Sequence, residues 1–134
     1  MRTFSLTVAT PDGIAYEGEA TAFLARTSAG DVEILAGHTD YLAALATGRA
    51  SIRTDDGTVR YAALSGGTLS VKGGVVSVAA TTFEYAEDID RKRAERAKEK
   101  AESAIRDAAD ERSLRLAKAK LERALLRMKV ADDR

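Results

Sequence analysis

The hydrophobic residues follow a period of two in the first part of the chain and a helical period in the last part. Phe4, Leu6 and Val8 alternate with small or polar residues, which is typical of a half-buried β-strand. Segments of similar character follow at 14–19, 20–26, 31–35, 50–53, 58–61, 68–72 and 75–78. Eight or more short strands at this spacing predict an antiparallel β-sandwich or a flattened barrel.

Turn signatures separate the predicted strands. A Pro-Asp-Gly sequence at 11–13 combines a fixed proline dihedral with a glycine that accepts a positive φ. An Asp-Asp-Gly sequence at 55–57 lies between two strand segments and predicts a β-hairpin. Gly-Gly pairs at 66–67 and 73–74 also lie between strand segments, and we expect hairpin turns at both.

After Glu84 the apolar period changes to about 3.6 residues, which predicts two amphipathic helices. Their apolar stripes consist of Ile89, Ala94, Ala97, Ala101, Ala104, Ile105 and Ala108 on the first helix, and of Leu114, Ala117, Leu121, Ala124, Leu125 and Met128 on the second. Polar residues at 107–113 predict the turn, with Ser113 as the N-cap of the second helix. The predicted fold class is α+β: an N-terminal antiparallel β-sandwich at 1–86, followed by a C-terminal antiparallel two-helix hairpin at 87–134.

Composition and charge change at the same boundary. Residues 86–134 contain no glycine, proline or aromatic residue. Residues 1–86 hold 6 Lys/Arg and 9 Asp/Glu, a formal charge of −3, whereas residues 87–134 hold 15 and 12, a formal charge of +3. Residues 112–129, here named the basic arm, hold seven cations and the single acid Glu122, which predicts an acidic or phosphate-bearing contact. The Ala-rich first stripe buries little apolar area, so the hairpin is predicted to be marginally stable and able to move.

The residues that usually carry catalysis do not form a recognisable set. The chain has no cysteine, which excludes disulfides and thiol chemistry. Its one histidine, His38, has no His or Cys to share a metal and no evident Ser partner, so a loop or interface role is the simpler interpretation. No glycine-rich phosphate motif precedes a helix. We therefore expect a non-catalytic protein with no metal and no required cofactor.

Nothing at the N-terminus resembles a signal peptide, and no apolar run approaches the ~20 residues of a spanning helix. We therefore expect a soluble, cytoplasmic protein that meets a membrane only through another protein. A nucleic-acid-binding module that uses the basic arm is the alternative function. The acidic sandwich and the few aromatic residues count against it.

Cations are predicted to converge at the open end of the hairpin. With the turn centred near residue 110, an antiparallel pair places Arg93 opposite Arg127. Lys100 lies seven residues after Arg93 on one helix face, and Arg123 lies four residues before Arg127 on the other helix. Either neighbouring acids such as Asp90 and water compensate these charges, or the cleft receives an anion such as a nucleotide triphosphate.

Four segments carry an ordered set of motifs. Val8–Glu19 reads V-A-T-P-D-G-I-A-Y-E-G-E, Gly30–His38 reads G-D-V-E-I-L-A-G-H, Ala63–Gly67 reads A-L-S-G-G, and Ala86–Asp90 reads A-E-D-I-D. In this order and over essentially the whole chain, they resemble the epsilon subunit of bacterial rotary (F-type) ATP synthases, the homologue of the mitochondrial delta subunit. The resemblance implies a sandwich of about ten strands followed by a two-helix hairpin.

The resemblance also implies a non-catalytic rotor subunit that couples proton-driven rotation to ATP synthesis. By resemblance, the sandwich binds the gamma stalk and sits on the ring of membrane c subunits. The loop expected at this interface contains Asp31, Glu33, His38 and Asp40. Ala36 and Asp40 stand where the family usually has prolines, and Glu33 stands where glycine is common, so the shape of this loop is left open.

The helical hairpin is the regulatory part in such proteins. By resemblance, it can extend along gamma and impede ATP hydrolysis, with its second helix against an acidic loop of the catalytic beta subunit. The residues expected at that contact are Arg112, Arg115, Lys118, Arg123 and Arg127. The implied location is the cytoplasmic face of the bacterial cell membrane, as a peripheral part of the complex, with no nucleic-acid partner and no direct insertion into the membrane.

Some bacterial members bind ATP in the folded hairpin through an I/L-D-x-x-R-A motif and arginines of the second helix. Residues 89–94 read I-D-R-K-R-A and match this motif. The regulatory ATP site expected from the resemblance consists of Ile89, Asp90, Arg93, Ala94, Lys100, Arg123 and Arg127. Lys100 stands where ATP-binding members carry arginine, so the charge is kept but the planar fork is lost. ATP bound there would stabilise the folded hairpin.

Overall fold

The computed structural model describes residues 2–133, in a β-unit that ends at Tyr85 and a helical unit that begins at Ala86. The strands of the β-unit are β1 (Phe4–Thr10), β2 (Gly13–Ala20), β3 (Ala22–Thr27), β4 (Gly30–Leu35), β5 (Tyr41–Ala44), β6 (Gly48–Arg53), β7 (Val59–Lys72) and β8 (Val75–Tyr85). In the helical unit, a 3₁₀ turn at Ala86–Asp88 precedes α1 (Arg91–Asp107) and α2 (Glu111–Ala131).

The strand pairing forms two layers, because the long strands β7 and β8 contribute to both. In one layer the second part of β7 pairs with β5, and the first part of β8 pairs with β1, which pairs with β2. In the other layer the first part of β7 pairs with β6, followed by β3 and β4. The predicted β-sandwich is therefore confirmed.

The hydrophobic pattern predicts eight or more strands and the resemblance implies about ten, and the described residues contain eight. Gly66 and Gly67 lie inside β7 and do not form the predicted hairpin turn, so the predicted segments 58–61 and 68–72 belong to one strand. A Cβ on Gly67 would lie 1.9 Å from the carbonyl oxygen of Ala79. Glycine there allows β7 to lie close to β8 as it passes from one layer to the other. A further departure is that β1 and β8 pair in parallel, so the sandwich is mostly and not wholly antiparallel.

The other two hairpin predictions are confirmed. Gly73 and Gly74, with φ of +56° and +81°, form a two-residue turn between β7 and β8. In the turn after β6, the Asp56 carboxylate accepts hydrogen bonds from Thr54 Oγ1 at 2.5 Å and from Thr58 N at 2.9 Å. These bonds, led by the one from Thr54, lower the pKa of Asp56.

Large apolar side chains fill the space between the two layers. The fully buried members of this core include Phe23, Leu6, Ile34, Ile52, Leu64 and Leu69. They come from strands of both layers, and they alternate with exposed positions as the period of two predicts. The β-unit therefore has a hydrophobic core of its own.

Aspartates begin both helices. Asp110 is the N-cap of α2, and its carboxylate accepts from the backbone N–H of Ser113 at 2.7 Å. The prediction that Ser113 is the N-cap is therefore wrong, because Asp supplies the same acceptor three residues earlier. The helices are joined by residues 108–110 only, which supports the predicted antiparallel pair.

Alanines form the seam between α1 and α2. Ala94 and Ala101, seven residues apart, are buried on α1, and Ala117 and Ala124 are buried on α2 at the same spacing. Ala94 and Ala124 are equally far from Ala109, as are Ala101 and Ala117. This symmetry indicates that the pairs face each other across the seam, where small side chains allow the helices to approach closely.

Candidate functional site

The open end of the helical hairpin, where α1 begins and α2 ends, brings together charged groups of both helices. Arg91, the first residue of α1, donates from Nη1 to the carbonyl oxygen of Met128 at 3.1 Å. The same Nη1 lies 3.6 Å from Asp132 Oδ1, and Nε lies 3.6 Å from Glu95 Oε1. Arg91 therefore links the first turn of α1 to the end of α2.

Asp90 precedes Arg91 and caps α1. Its carboxylate accepts from the backbone N–H of Arg93 at 3.1 Å. This hydrogen bond, together with the nearby charges of Arg96 and Arg93, lowers the pKa of the Asp90 carboxyl. The carboxylate thus satisfies one of the backbone donors that the first helical turn leaves without a partner.

The structure changes the register of the expected ATP-binding residues, and not all of them lie at this open end, because Lys100 lies in the middle of α1, nine residues after Arg91. Because the connection is centred on Ala109 and not on residue 110, Arg93 lies opposite Leu125, and Arg91 takes the place opposite Arg127. Ile89 and Ala94 are buried. Asp90, Arg93, Lys100 and Arg123 are exposed, and Arg127 is half-buried.

The basic arm presents its cations to solvent. Arg112, Arg115, Lys118 and Arg123 are all exposed. Arg115 forms an ion pair with Glu111 at 4.0 Å, but both side chains are largely exposed, so this pair contributes little to stability. The arm is therefore a surface of strong positive charge on a helix.

The segment at 31–40, expected to be a loop, consists of residues 31–35 of β4 and a loop at 36–40, so Asp31 and Glu33 lie on a strand. Asp31, on β4, pairs with Arg26 of β3 at 3.2 Å, and Glu33 lies opposite Leu24 of β3. Asp40 accepts through Oδ1 from the backbone N–H of Gly73 at 3.0 Å. The Asp40 carboxylate therefore ties this loop to the turn between β7 and β8, at a position where the resemblance leads us to expect proline.

His38 contributes to the same loop. Its Nδ1 lies 2.7 Å from the carbonyl oxygen of Thr39, and its ring contacts Tyr41 edge to face at 5.5 Å. The backbone N–H of His38 donates to the carbonyl oxygen of Leu35 at 3.2 Å. Next to the loop, Leu42 is 76% exposed. A single exposed leucine is common on protein surfaces, so the loop is defined by its hydrogen bonds and not by an apolar patch.

Other kinds of site find little support in the described part of the chain. Residues 2–133 contain no group of three or more His, Cys, Asp or Glu side chains that could hold a metal ion. A shallow depression of about 350 Å³ on the β-unit is lined by Ala9, Thr10, Pro11, Ala79, Ala80 and Thr81. It offers no charged side chain to orient a substrate. Neither α1 nor α2 has the length and apolar character needed to cross a bilayer.

Arg91 is not among the site residues predicted from the sequence. The match to the I/L-D-x-x-R-A motif drew attention to Arg93, and Arg91 occupies one of the variable positions. The contact between Arg91 and Met128 depends on the register of the two helices. A one-residue error in the turn centre moves the opposing position by two residues, which is enough to miss it.

Comparison with known proteins gives the same division into two parts. Residues 3–86 match the family described as ATP synthase, Delta/Epsilon chain, beta-sandwich domain. Residues 87–132 match the family described as ATP synthase, Delta/Epsilon chain, long alpha-helix domain. Among curated proteins, the ATP synthase epsilon chain of Ruminococcus albus is 38% identical over 98% of both chains. That of Bacillus velezensis is 37% identical, again over 98% of both chains.

Solved structures agree with these relatives. A chain of the Euglena gracilis mitochondrial ATP synthase, solved with OSCP, F1 and the c-ring, matches 98% of this chain and 82% of its own length, with a TM-score of 0.83 and 25% identity. A chain of the Tetrahymena thermophila mitochondrial ATP synthase central stalk and c-ring matches 96% of both chains, with a TM-score of 0.65, and at 20% identity it supports the fold alone. The chain belongs to the ATP synthase delta/epsilon family and corresponds over nearly its whole length to an ATP synthase epsilon chain.

Proposed function

We propose that this chain is a non-catalytic subunit of the rotating central stalk of an ATP synthase, on the cytoplasmic face of the cell membrane. The β-unit attaches to the gamma subunit and the c-ring, and the helical unit acts as a movable arm that slows ATP hydrolysis. The observation that carries the proposal is the match of both units, in order, to epsilon chains over 98% of the sequence.

The proposed stalk contact uses the segment at 31–40, which comprises most of β4 and the loop that follows it. Its interface residues are Asp31, Glu33, His38 and Asp40. Support comes from their exposed or partly exposed positions and from the hydrogen bonds that hold the loop in one shape. A loop with a fixed shape loses less conformational entropy on binding than a flexible one.

The proposed brake uses the basic arm. Arg112, Arg115, Lys118, Arg123 and Arg127 would meet an acidic segment of the catalytic beta subunit when the hairpin opens. A formal charge of +6 over residues 112–129 supports this contact, because opposite charge speeds association and fixes orientation. The marginal alanine seam supports the opening, because little apolar area is lost when the helices part.

ATP is the proposed regulatory ligand of the folded hairpin, held by the motif at 89–94 with Lys100, Arg123 and Arg127. The exposed guanidinium groups of Arg93 and Arg123 suit a triphosphate. The Asp90 carboxylate already accepts a backbone hydrogen bond, so it would contact the nucleotide only through its remaining lone pairs. Titration calorimetry of the full chain with millimolar ATP tests this part, and an absence of heat would remove it while leaving the brake in place.

The test of the main proposal is ATP hydrolysis by the cognate catalytic head and gamma subunit. We compare the full chain, a version that ends at Glu87, and a full-length charge reversal at Arg115, Arg123 and Arg127. All three should bind the stalk, and only the unmodified full chain should slow hydrolysis strongly. Equal inhibition by the charge-reversed chain would contradict the proposed brake, and failure of all three to bind would contradict the stalk assignment.

A further inference from the structure

The C-terminal turn of α2 leaves one backbone acceptor for another part of the hairpin. In a regular α-helix, the carbonyl oxygen of Met128 would accept from the N–H of Asp132. Here that N–H donates to Lys129 at 3.2 Å, and the N–H of Asp133 donates to Val130 at 2.8 Å. The last turn is therefore tightened, and the Met128 oxygen receives Arg91 Nη1 at 3.1 Å.

The charges around this contact reinforce it. The C-terminal end of a helix carries partial negative charge, so a guanidinium at the end of α2 is stabilising there. Asp132, the C-cap of α2, adds a carboxylate at the end where the helix dipole disfavours it, and Arg91 lies 3.6 Å from its Oδ1. Glu95, one turn along α1, lies 3.6 Å from Arg91 Nε and holds the guanidinium on the side of α2.

We infer that Arg91 is the latch of the helical hairpin: its contact with Met128 and Asp132 sets how readily α1 and α2 part at the open end. Alanines make up most of the seam and resist opening weakly, so a charge-assisted contact at the open end adds measurably to the resistance that they and the buried Val130 provide. The inference about the latch concerns the isolated chain. Its consequence for ATP hydrolysis rests on the proposed function.

The latch predicts a specific order among substitutions. Arg91→Ala removes both the carbonyl and the carboxylate contact. Arg91→Lys keeps the charge but loses the planar fork that reaches α2 through Nη1 and Glu95 through Nε, so its effect is intermediate. Asp132→Asn removes only the ion pair and gives the smallest effect. Arg106→Ala is the matched control, because Arg106 is an exposed arginine of the same helix whose contact, to Ser103 at 3.0 Å, stays within α1.

The experiment measures the distance between the helix ends in the full chain. The chain has no cysteine, so Lys92→Cys and Lys129→Cys, both at exposed positions, accept nitroxide spin labels without competition. Double electron–electron resonance then gives the populations of closed and open hairpin. We expect Arg91→Ala to raise the open-to-closed ratio about threefold to tenfold over the labelled parent, and Arg106→Ala to leave it unchanged.

Equal distance distributions for Arg91→Ala and Arg106→Ala would overturn the latch. If Arg91→Ala also lowers the helical circular-dichroism signal, the comparison of Arg91→Lys with Arg106→Ala decides, because lysine at this position keeps the helix propensity and the charge. The same variants are then added to the catalytic head. Stronger inhibition by Arg91→Ala supports both the latch and the brake. An opened hairpin with unchanged inhibition leaves the latch in place and contradicts the brake.

Discussion

The two units of this chain are stabilised by different amounts of buried apolar surface. Of the nine largest fully buried side chains among residues 2–133, all except Val130 lie in the β-unit. In the helical unit, the buried residues on α1 are alanines, and three of the four on α2 are alanines as well. At roughly 0.8 kcal/mol per buried methylene, an alanine seam stabilises far less than a core of Phe, Leu and Ile. The β-unit is therefore stabilised by its core more strongly than the helical unit is by its seam.

The largest expected effect comes from removing a large side chain of the sandwich core. Phe23 is fully buried between the layers, so Phe23→Ala should lower the free energy of unfolding by about 3–5 kcal/mol. All seven aromatic residues lie in the β-unit, so tyrosine fluorescence during urea unfolding reports that unit alone. Leu42→Ala, at a position that is 76% exposed, is the control and should change stability by less than about 0.5 kcal/mol. Equal effects of the two would contradict the described core.

The next largest loss of stability is expected where β7 passes from one layer to the other. Gly67→Ala places a Cβ against the backbone of Ala79 at a φ of +118°, so we expect a loss of at least about 3 kcal/mol. Gly57→Ala is the matched control, because its φ is +86° but no atom lies within 4 Å of the added Cβ. It should cost about 1–2 kcal/mol from backbone strain alone. A Gly67→Ala variant as stable as Gly57→Ala would show that β7 and β8 are not in close contact there.

The stability of the helical unit should be sensitive to larger side chains in the alanine seam. Ala101→Leu forces a larger side chain between α1 and α2 and should destabilise the helical unit by about 1–3 kcal/mol. Ala104→Leu, at an exposed position of the same helix, should have almost no effect because leucine is also a good helix former. The helical circular-dichroism signal during heating separates the two. If both variants melt together, the seam is not closely packed.

The sequence predicts the β-unit better than the contacts between the two helices. The period of two and the turn residues predicted the sandwich and two of its hairpins, because strand burial and turn chemistry are local signals. The continuity of β7 was missed because Gly66-Gly67 has the local signature of a turn, and only the approach of Ala79 shows that it is part of a strand. The Arg91 contact was missed for a related reason: it depends on the register of the two helices, and the predicted turn centre was one residue off.

The helix caps give a smaller, pH-dependent effect. Hydrogen bonds from Ser113, led by its backbone N–H, lower the pKa of Asp110 below its ordinary value of 3.8, and the Asp90 pKa is lowered in the same direction. A carboxyl whose pKa falls on folding stabilises the helix fully above the unfolded pKa, and this stabilisation is lost as the pH falls through the folded pKa. Helicity should therefore decrease at acid pH. Asp90→Asn with Asp110→Asn should flatten this decrease, because asparagine caps a helix without titrating. An unchanged acid profile would show that the caps do not cause it.

The smallest effect on stability is expected on the surface of the β-unit. The ion pair between Asp31 and Arg26 is exposed on both sides, so Asp31→Ala should change the free energy of unfolding by no more than about 0.5 kcal/mol. If the segment at 31–40 contacts the stalk, the same substitution should still weaken binding to the gamma subunit and the c-ring. Glu17→Ala, an exposed acid on β2, is the control for a change of charge alone. Loss of binding without loss of stability would locate the function of the β-unit on its surface. Equal binding by both variants would remove Asp31 from the interface, and the loop's hydrogen bonds would then serve folding alone.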